Sequence, residues 1–153
     1  MKLIGYALAL ALLASPVAAQ DVIEGKALAL DGDTLVVTQA DGKAVTVRLW
    51  GVDAPEMKVW PWGPVARGAL DRILSYTAGQ VRCERKGKSH NRIVAQCFHK
   101  AEAVGRDIAT TLIRNGLAVE WRSFSKGHYS ADEDWARTNG RGVWKSIESL
   151  KLD

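Results

Sequence analysis

The chain has 153 residues, with 21 Lys and Arg against 17 Asp and Glu and a formal net charge of +4. That length supports one domain around one core, and the mild basic excess excludes a polycationic tail while tolerating a polyanionic partner. Two cysteines exclude a disulfide-dense scaffold, and beyond the first 19 residues no stretch is apolar enough for a membrane span of about 20 residues.

Residues 1–19, MKLIGYALALALLASPVAA, read as an export signal: Lys2, an apolar run from Leu3 to Ala14, and Val17-Ala18-Ala19 as a small-residue cleavage site. An uncleaved anchor is the alternative. Cleavage would leave a single domain over residues 20–153, in which 20 basic residues face 17 acidic ones, a net +3. The mature chain is then expected outside the cytoplasm, secreted or periplasmic, with no membrane attachment.

Downstream, VIEGKALALDGDTLVVTQADGKAVTVRLWGV alternates β-formers with the turn signals DGD and ADGK, predicting strands near 22–30, 33–39 and 44–52. GPVARGALDRILSYTAG predicts a helix with Pro64 in its first position, Ala66, Leu70, Ile73 and Leu74 on one face, and Gly79 as its stop. Two further strands, near 80–85 and 92–98, carry Cys83 and Cys97 on either side of the turn-prone KGKSHN. An exported hairpin would bring these cysteines together as a disulfide; a metal site with His90 or His99 is the alternative, without zinc-type spacing. AVGRDIATTLIRNGLA predicts a second helix with Ile108, Leu112 and Ile113 inward and Gly116 as its stop. The extended LAVEW then leads to a third helix near 129–139. Tyr129, Trp135 and Trp144 read as packing residues of that helix and the tail, and His99 and His128 as exposed loop histidines. Five short strands are too few for two full sheets, whereas a small barrel leaves no open edge. The fold class is α+β, a five-stranded OB-type β-barrel with three helices.

The charged residues at strand ends carry the chemistry. LDGDT places Asp31 and Asp33 at the first turn, and GVDAPE places Asp53 and Glu56 after the third strand. In a meander those two points share one end of the sheet, so Asp33 and Asp53 converge and suit a hard divalent cation such as Ca²⁺. Each turn alone reads as nothing more than a turn. Arg48, inside a β-rich segment, and Arg92, opening the fifth strand, supply guanidinium forks for a phosphodiester and for charge building in its transition state. Glu56 is left to take a proton from water.

At these residues the chain resembles the thermonuclease, or staphylococcal-nuclease-like, family. LDGDT, VRLWGVDAPE, WGPVARGAL, NRIVA and NGLAVEW stand in the family's order and spacing, and the resemblance runs from about Ile23 to Trp144. It implies an OB barrel with three helices and Ca²⁺-dependent hydrolysis of DNA and RNA to 3′-phosphate ends. It also implies Asp33, Asp53 and the carbonyl of Ala54 as calcium ligands, with Asp31 beside the site. Arg48 and Arg92 would hold the phosphate and its leaving-group side, and Glu56 would be the general base.

The chain departs from the family pattern near the substrate. His90 and Asn91 stand where tyrosine and glycine are usual, with Asn91 expected to tolerate the left-handed turn. Arg122 and Phe124 stand where tyrosines line the base pocket. His90, Arg122 and Phe124 are therefore the expected substrate contacts, by hydrogen bond, phosphate grip and stacking. The loop MKVWPWGP is short, and Trp60 and Trp62 either pack the helix entrance or offer a stacking platform. The expected partner is nucleic acid, single-stranded in preference, acted on by a monomer. The alternative is a catalytically weak barrel that binds nucleic acid or a protein partner, against which the clustering of five charged positions argues.

Overall fold

The computed structural model describes residues 21–99 and 105–145. The expected signal at 1–19, and residues 103 and 104 of the expected second helix, lie outside them.

Five strands close a barrel in the order β1-β2-β3-β6-β5. They are β1 (Val22–Ala29), β2 (Thr34–Thr38), β3 (Ala44–Leu49), β5 (Gln80–Ser89) and β6 (Arg92–His99). All pairings are antiparallel except β3 with β6, where Val47, Arg48 and Leu49 lie beside Ile93, Val94 and Ala95 in parallel. Alternation decides which residues fill the interior. Leu35 and Val37 of β2, Val47 and Leu49 of β3, Val81 and Cys83 of β5, and Ala95 and Cys97 of β6 are all buried in one core. Each fully buried Leu or Val stabilises by about 1.5–3 kcal/mol relative to exposure.

Helices close the barrel's flank. α1 (Trp62–Ser75) buries Ala66, Leu70, Ile73 and Leu74, the predicted face. α2 (Ile108–Arg114) buries Ile108, Leu112 and Ile113. Its N-cap Asp107 accepts the Ala109 N–H at 2.9 Å, satisfying a donor that the helix start leaves open. Asp107 also accepts Gln96 Nε2 at 2.9 Å and the Tyr129 hydroxyl at 2.8 Å. One carboxylate therefore ties α2 to β6 and to the segment before α4 (Ser130–Thr138). Burial, then Asp107, pushes the Tyr129 phenol far up, so it stays a donor. With α1 and α2, α4 completes the three predicted helices.

The cysteines are bonded, Cys83 to Cys97, as directly paired residues of β5 and β6. The tail packs as expected: Val143 N–H donates to Gly116 O at 2.9 Å, and the Arg137 guanidinium lies 4.1 Å from the Trp144 ring centroid.

Several boundaries differ from expectation. The third strand does not run through 44–52. Gly51 takes φ +73°, and a side chain there would meet Ser125 Cβ at 2.8 Å. The strand breaks at this point, and Val52–Asp53 become a separate β4 pairing with β7 (Val119–Glu120). α1 starts at Trp62 after a cis Trp60–Pro61 bond, so Pro64 is its third residue. Trp62 is half-buried at this entrance, whereas Trp60 is exposed; the packing reading fails for Trp60. β5 extends to Ser89, and the left-handed turn residue is His90 (φ 54°), not Asn91. His99 ends strand β6 instead of lying in a loop; His128 is exposed in a loop, edge-on to Trp50 and Tyr129. Tyr129 is fully buried, but Trp135 is partly exposed beneath the Arg114 guanidinium, 4.4 Å from its ring centroid. LAVEW is extended only at β7, and just beyond it Arg122–Ser125 coil into one helical turn, α3.

Candidate active site

Three neighbouring strands build the site. Thr34, the first residue of β2, pairs directly with Arg48 on β3, and Arg48 pairs with Val94 on β6. The turn before β2 sets Asp33 beside them. Gly32 permits that turn, since a Cβ there would lie 2.7 Å from Ala54 Cβ and 2.8 Å from Ala66 Cβ. The Asp33 N–H donates to Asp31 Oδ1 at 3.0 Å, so Asp31 braces the turn.

Asp33 is buried at 4% exposure, and every oxygen contact is specific. Its Oδ1 accepts Arg48 Nη1 at 2.9 Å and the Thr34 hydroxyl at 3.0 Å, and its Oδ2 accepts the Ala54 N–H at 3.0 Å. Burial pushes the Asp33 carboxyl up, as does Asp31, and the contacts from Ala54, Arg48 and Thr34 only partly offset this. The other terminal nitrogen of Arg48 donates to Asp53 Oδ1 at 2.9 Å and to Val52 O at 3.3 Å. Arg48 thus bridges the two aspartates, one buried and one with a side chain 59% exposed. Arg92 joins from β6, with Nη1 at 3.5 Å from the Thr34 hydroxyl.

Asp33, Arg48, Asp53, Ala54 and Arg92 therefore gather at one end of the barrel. The other predicted residues lie as follows. Glu56 is exposed and pairs with Lys58 at 2.7 Å. His90 sits at the tip of the β5–β6 hairpin, its Nδ1 at 3.4 Å from the Ser89 hydroxyl. Arg122 turns to the buried Glu120, Nε to Oε2 3.5 Å. Phe124 is exposed and meets Trp121 edge-on, ring centroids 4.5 Å apart.

Whether the site suits a hard cation follows from its charges. Asp33 and Asp53 share one ion-paired arginine, Asp31 stands against Asp33, and Asp33 is pushed up by burial. Added positive charge would relieve that excess, and oxygen donors are those Ca²⁺ prefers. The donor set fits, although the described residues contain no ready-made group of three or more acidic, histidine or cysteine ligands.

Two features escaped the sequence reading. Trp121 lies under Arg48, whose guanidinium carbon is 5.2 Å from the ring centroid. Behind it, Glu120 accepts the Ser125 and Ser130 hydroxyls at 2.5 and 2.6 Å and the Tyr129 N–H at 3.0 Å. Burial pushes Glu120 up, but these hydrogen bonds and Arg122 outweigh it and hold the carboxyl below its usual range. The only signal was an acid within an apolar strand, followed by a tryptophan.

A family model for staphylococcal nuclease homologues matches residues 46–146. The chain belongs to the staphylococcal nuclease homologue family. Membership places it in the nuclease class of hydrolases, which act on phosphodiester bonds. Among curated relatives, the succinoglycan biosynthesis protein ExoI of Rhizobium meliloti is 32% identical over 95% of this chain and 76% of its own length. A probable endonuclease LCL3 of Clavispora lusitaniae is 29% identical over 67% of this chain and 48% of its own. An uncharacterized endonuclease of Haemophilus influenzae is 28% identical over 74% and 61%. This nuclease homologue therefore spans about two-fifths to three-fifths of the endonuclease-named relatives. Its disulfide is formed, and no helix among the described residues is long and apolar enough to cross a membrane.

Proposed function

We propose that this chain is a Ca²⁺-dependent nuclease, secreted or periplasmic, that cleaves DNA and RNA to 3′-phosphate ends. Residues 1–19 act as its signal peptide, and residues 20–153 form a single domain active as a monomer. The observation that carries this reading is the chain of contacts at 2.9–3.5 Å linking Asp53, Arg48, Asp33, Thr34 and Arg92 at one barrel end. The disulfide supports an oxidising compartment.

Asp33, Asp53 and the Ala54 carbonyl would hold calcium, which when bound supplies positive charge against the phosphate oxygens. Arg48 stays anchored by the buried Asp33 and exchanges the exposed Asp53 for a nonbridging phosphate oxygen. Arg92 holds the phosphate from β6 on the leaving-group side, and the two guanidiniums stabilise charge that grows in the transition state. Glu56 exchanges Lys58 for the attacking water and takes its proton. The water oxygen bonds to phosphorus as the bond to O5′ breaks; O5′ leaves with the electron pair and takes a proton from solvent, so the phosphate remains on the 3′ end. His90 at the hairpin tip, with Arg122 and Phe124, lines the substrate path. The guanidinium pair suits a phosphate group as what the site holds.

A binding-only barrel is the second reading, favoured by one observation: Glu56 points to Lys58 and solvent. Cleavage of single- and double-stranded DNA and RNA in Ca²⁺, then in excess chelator, separates the two. The nuclease reading expects Ca²⁺-dependent cleavage that falls at least about 100-fold in Glu56→Gln and Arg92→Ala. Absence of cleavage under every condition leaves the binding module.

A further inference from the structure

We infer that the helical side of the molecule carries a second binding site, a groove across α1, α2 and α4 that takes the phosphate backbone of a nucleic acid away from the reacting bond. The nuclease reading enters only through the identity of this polyanion.

The arginines lead to it. Most of them meet a carboxylate within 4.0 Å. Among the described residues the exceptions are Arg92, at the candidate active site, and Arg72, Arg106 and Arg141. The last three border one groove. Arg106 lines a hollow of about 400 Å³ together with Arg114 and Trp135. Arg72 lines a second hollow of about 410 Å³ with Tyr76 and Leu117. Thr111 and Asn115 of α2 and its cap line both, so the two hollows share a wall. Arg141 reaches the same wall, donating from Nη2 to Asn115 Oδ1 at 3.3 Å.

The groove is left with positive charge. Its lining acid among the described residues, Asp132, is already held by Arg114 at 2.9 Å. Arg72, Arg106 and Arg141 are exposed and stand uncompensated, so an anion that meets them relieves their mutual repulsion. Guanidinium forks match phosphate oxygens in particular. Beside them lie two rings, Tyr76 at 78% and Trp135 at 41% exposure. Arginines interleaved with exposed rings suit a chain that alternates phosphates with sugars and bases better than they suit a simple anion.

The groove also stands apart from the candidate active site. Arg92 opens β6 and His99 ends it, and at about 3.3 Å per residue the strand sets them about 23 Å apart. The His99 N–H donates to Arg106 O at 3.2 Å, which fixes Arg106 at the far end. A long substrate can occupy both places, and the second contact then adds to the first through effective concentration. A dinucleotide cannot bridge them.

The test compares the wild type with Arg72→Gln/Arg106→Gln, neither residue having an ion-pair partner to lose, with circular dichroism and melting as fold controls. Anisotropy of a labelled thirty-nucleotide DNA strand is read in chelator over a range of salt. Loss of two phosphate contacts should reduce the salt slope by about 1.4 and weaken binding about 25-fold at about 0.1 M salt. Lys26→Gln/Lys43→Gln removes the same charge from exposed positions on the strand side and should leave most of the affinity. In cleavage assays the arginine variant should raise KM for the long strand with kcat held, and leave kcat/KM for a dinucleotide unchanged.

Unchanged affinity and salt slope in the arginine variant overturn the proposal. So does an equal loss in the lysine variant, which would mean net charge and no site. Polygalacturonate bound as tightly as DNA, and through the same arginines, would assign the groove to acidic sugars and overturn its assignment to nucleic acid. If no condition yields cleavage but long-strand binding depends on Arg72 and Arg106, the nuclease reading fails and the groove stands. If cleavage is robust and the variant binds as the wild type does, only the groove fails.

Discussion

Replacing Arg48 by alanine tests whether the site's electrostatics are as derived. The substitution strands the Asp33 carboxylate, 4% exposed, without its ion-pair partner at 2.9 Å. Breaking one side of a buried pair costs about 3–5 kcal/mol. Asp33 keeps the Thr34 hydroxyl and the Ala54 N–H, each at 3.0 Å, so the low end applies. A loss of about 3 kcal/mol lowers Tm by about 12 °C for a domain of this size. The pH dependence gives a second readout. Asp33 is already raised above 3.8 by burial, and without Arg48 it rises further. Between the unfolded and folded values the native state binds more protons, so stability falls as pH rises through the folded pKa. The deficit of Arg48→Ala should therefore be largest at neutral pH and shrink as pH falls toward about 4. Asp33→Asn/Arg48→Gln should recover much of the loss, because no buried charge is left unpaired. Thermal melts in chelator across this range decide the matter. A variant within about 2 °C of wild type at neutral pH, or a deficit that ignores pH, would refute the derivation.

Three other outcomes are expected. Ca²⁺ at about 100 times its Kd should stabilise the protein by about 2.7 kcal/mol, and Asp53→Asn should reduce that thermal shift; an unchanged melt in calcium removes the ion from the site. Glu120→Gln should cost about 3 kcal/mol through lost charge-assisted hydrogen bonds. Because Glu120 is held below 4.5, its contribution is complete above that value and lost as pH falls through the folded pKa; denaturant melts at neutral and acid pH check the sign. Finally, Cys83→Ala/Cys97→Ala frees a loop whose ends are 14 residues apart, which by loop entropy costs about 3 kcal/mol. Calorimetry of the double variant showing no shift in Tm would contradict that account.

The barrel was legible because strand alternation and turn residues are local signals. Leu35, Val37, Val47 and Leu49 point inward as their spacing requires. The convergence of Asp33 and Asp53 was legible too, since a meander brings those chain points to one end. What spans Asp53 and Asp33 was less so: Arg48 holds both, and a salt bridge across strands leaves no trace in spacing. The break at Gly51 was missed because WGV continues an apolar run. LAVEW reads as extended, but two-residue strands give no period that would pair β7 with β4. The placement of Trp121 and Glu120 depends on that pairing, so it was hidden with it.

The parallel seam between β3 and β6 has a consequence for the order of folding. A nascent meander of β1, β2 and β3 can already carry Asp33 opposite Arg48, since those contacts are short-range in sequence. Arg92 arrives only when Val47 finds Ile93, after the intervening chain has looped around through α1 and β5. Closing so distant a contact is slow and comes late. The juxtaposition of Arg48 and Arg92 is thus a property of the finished barrel alone, and the proposed two-arginine grip is expected to be missing from a partly folded or truncated chain.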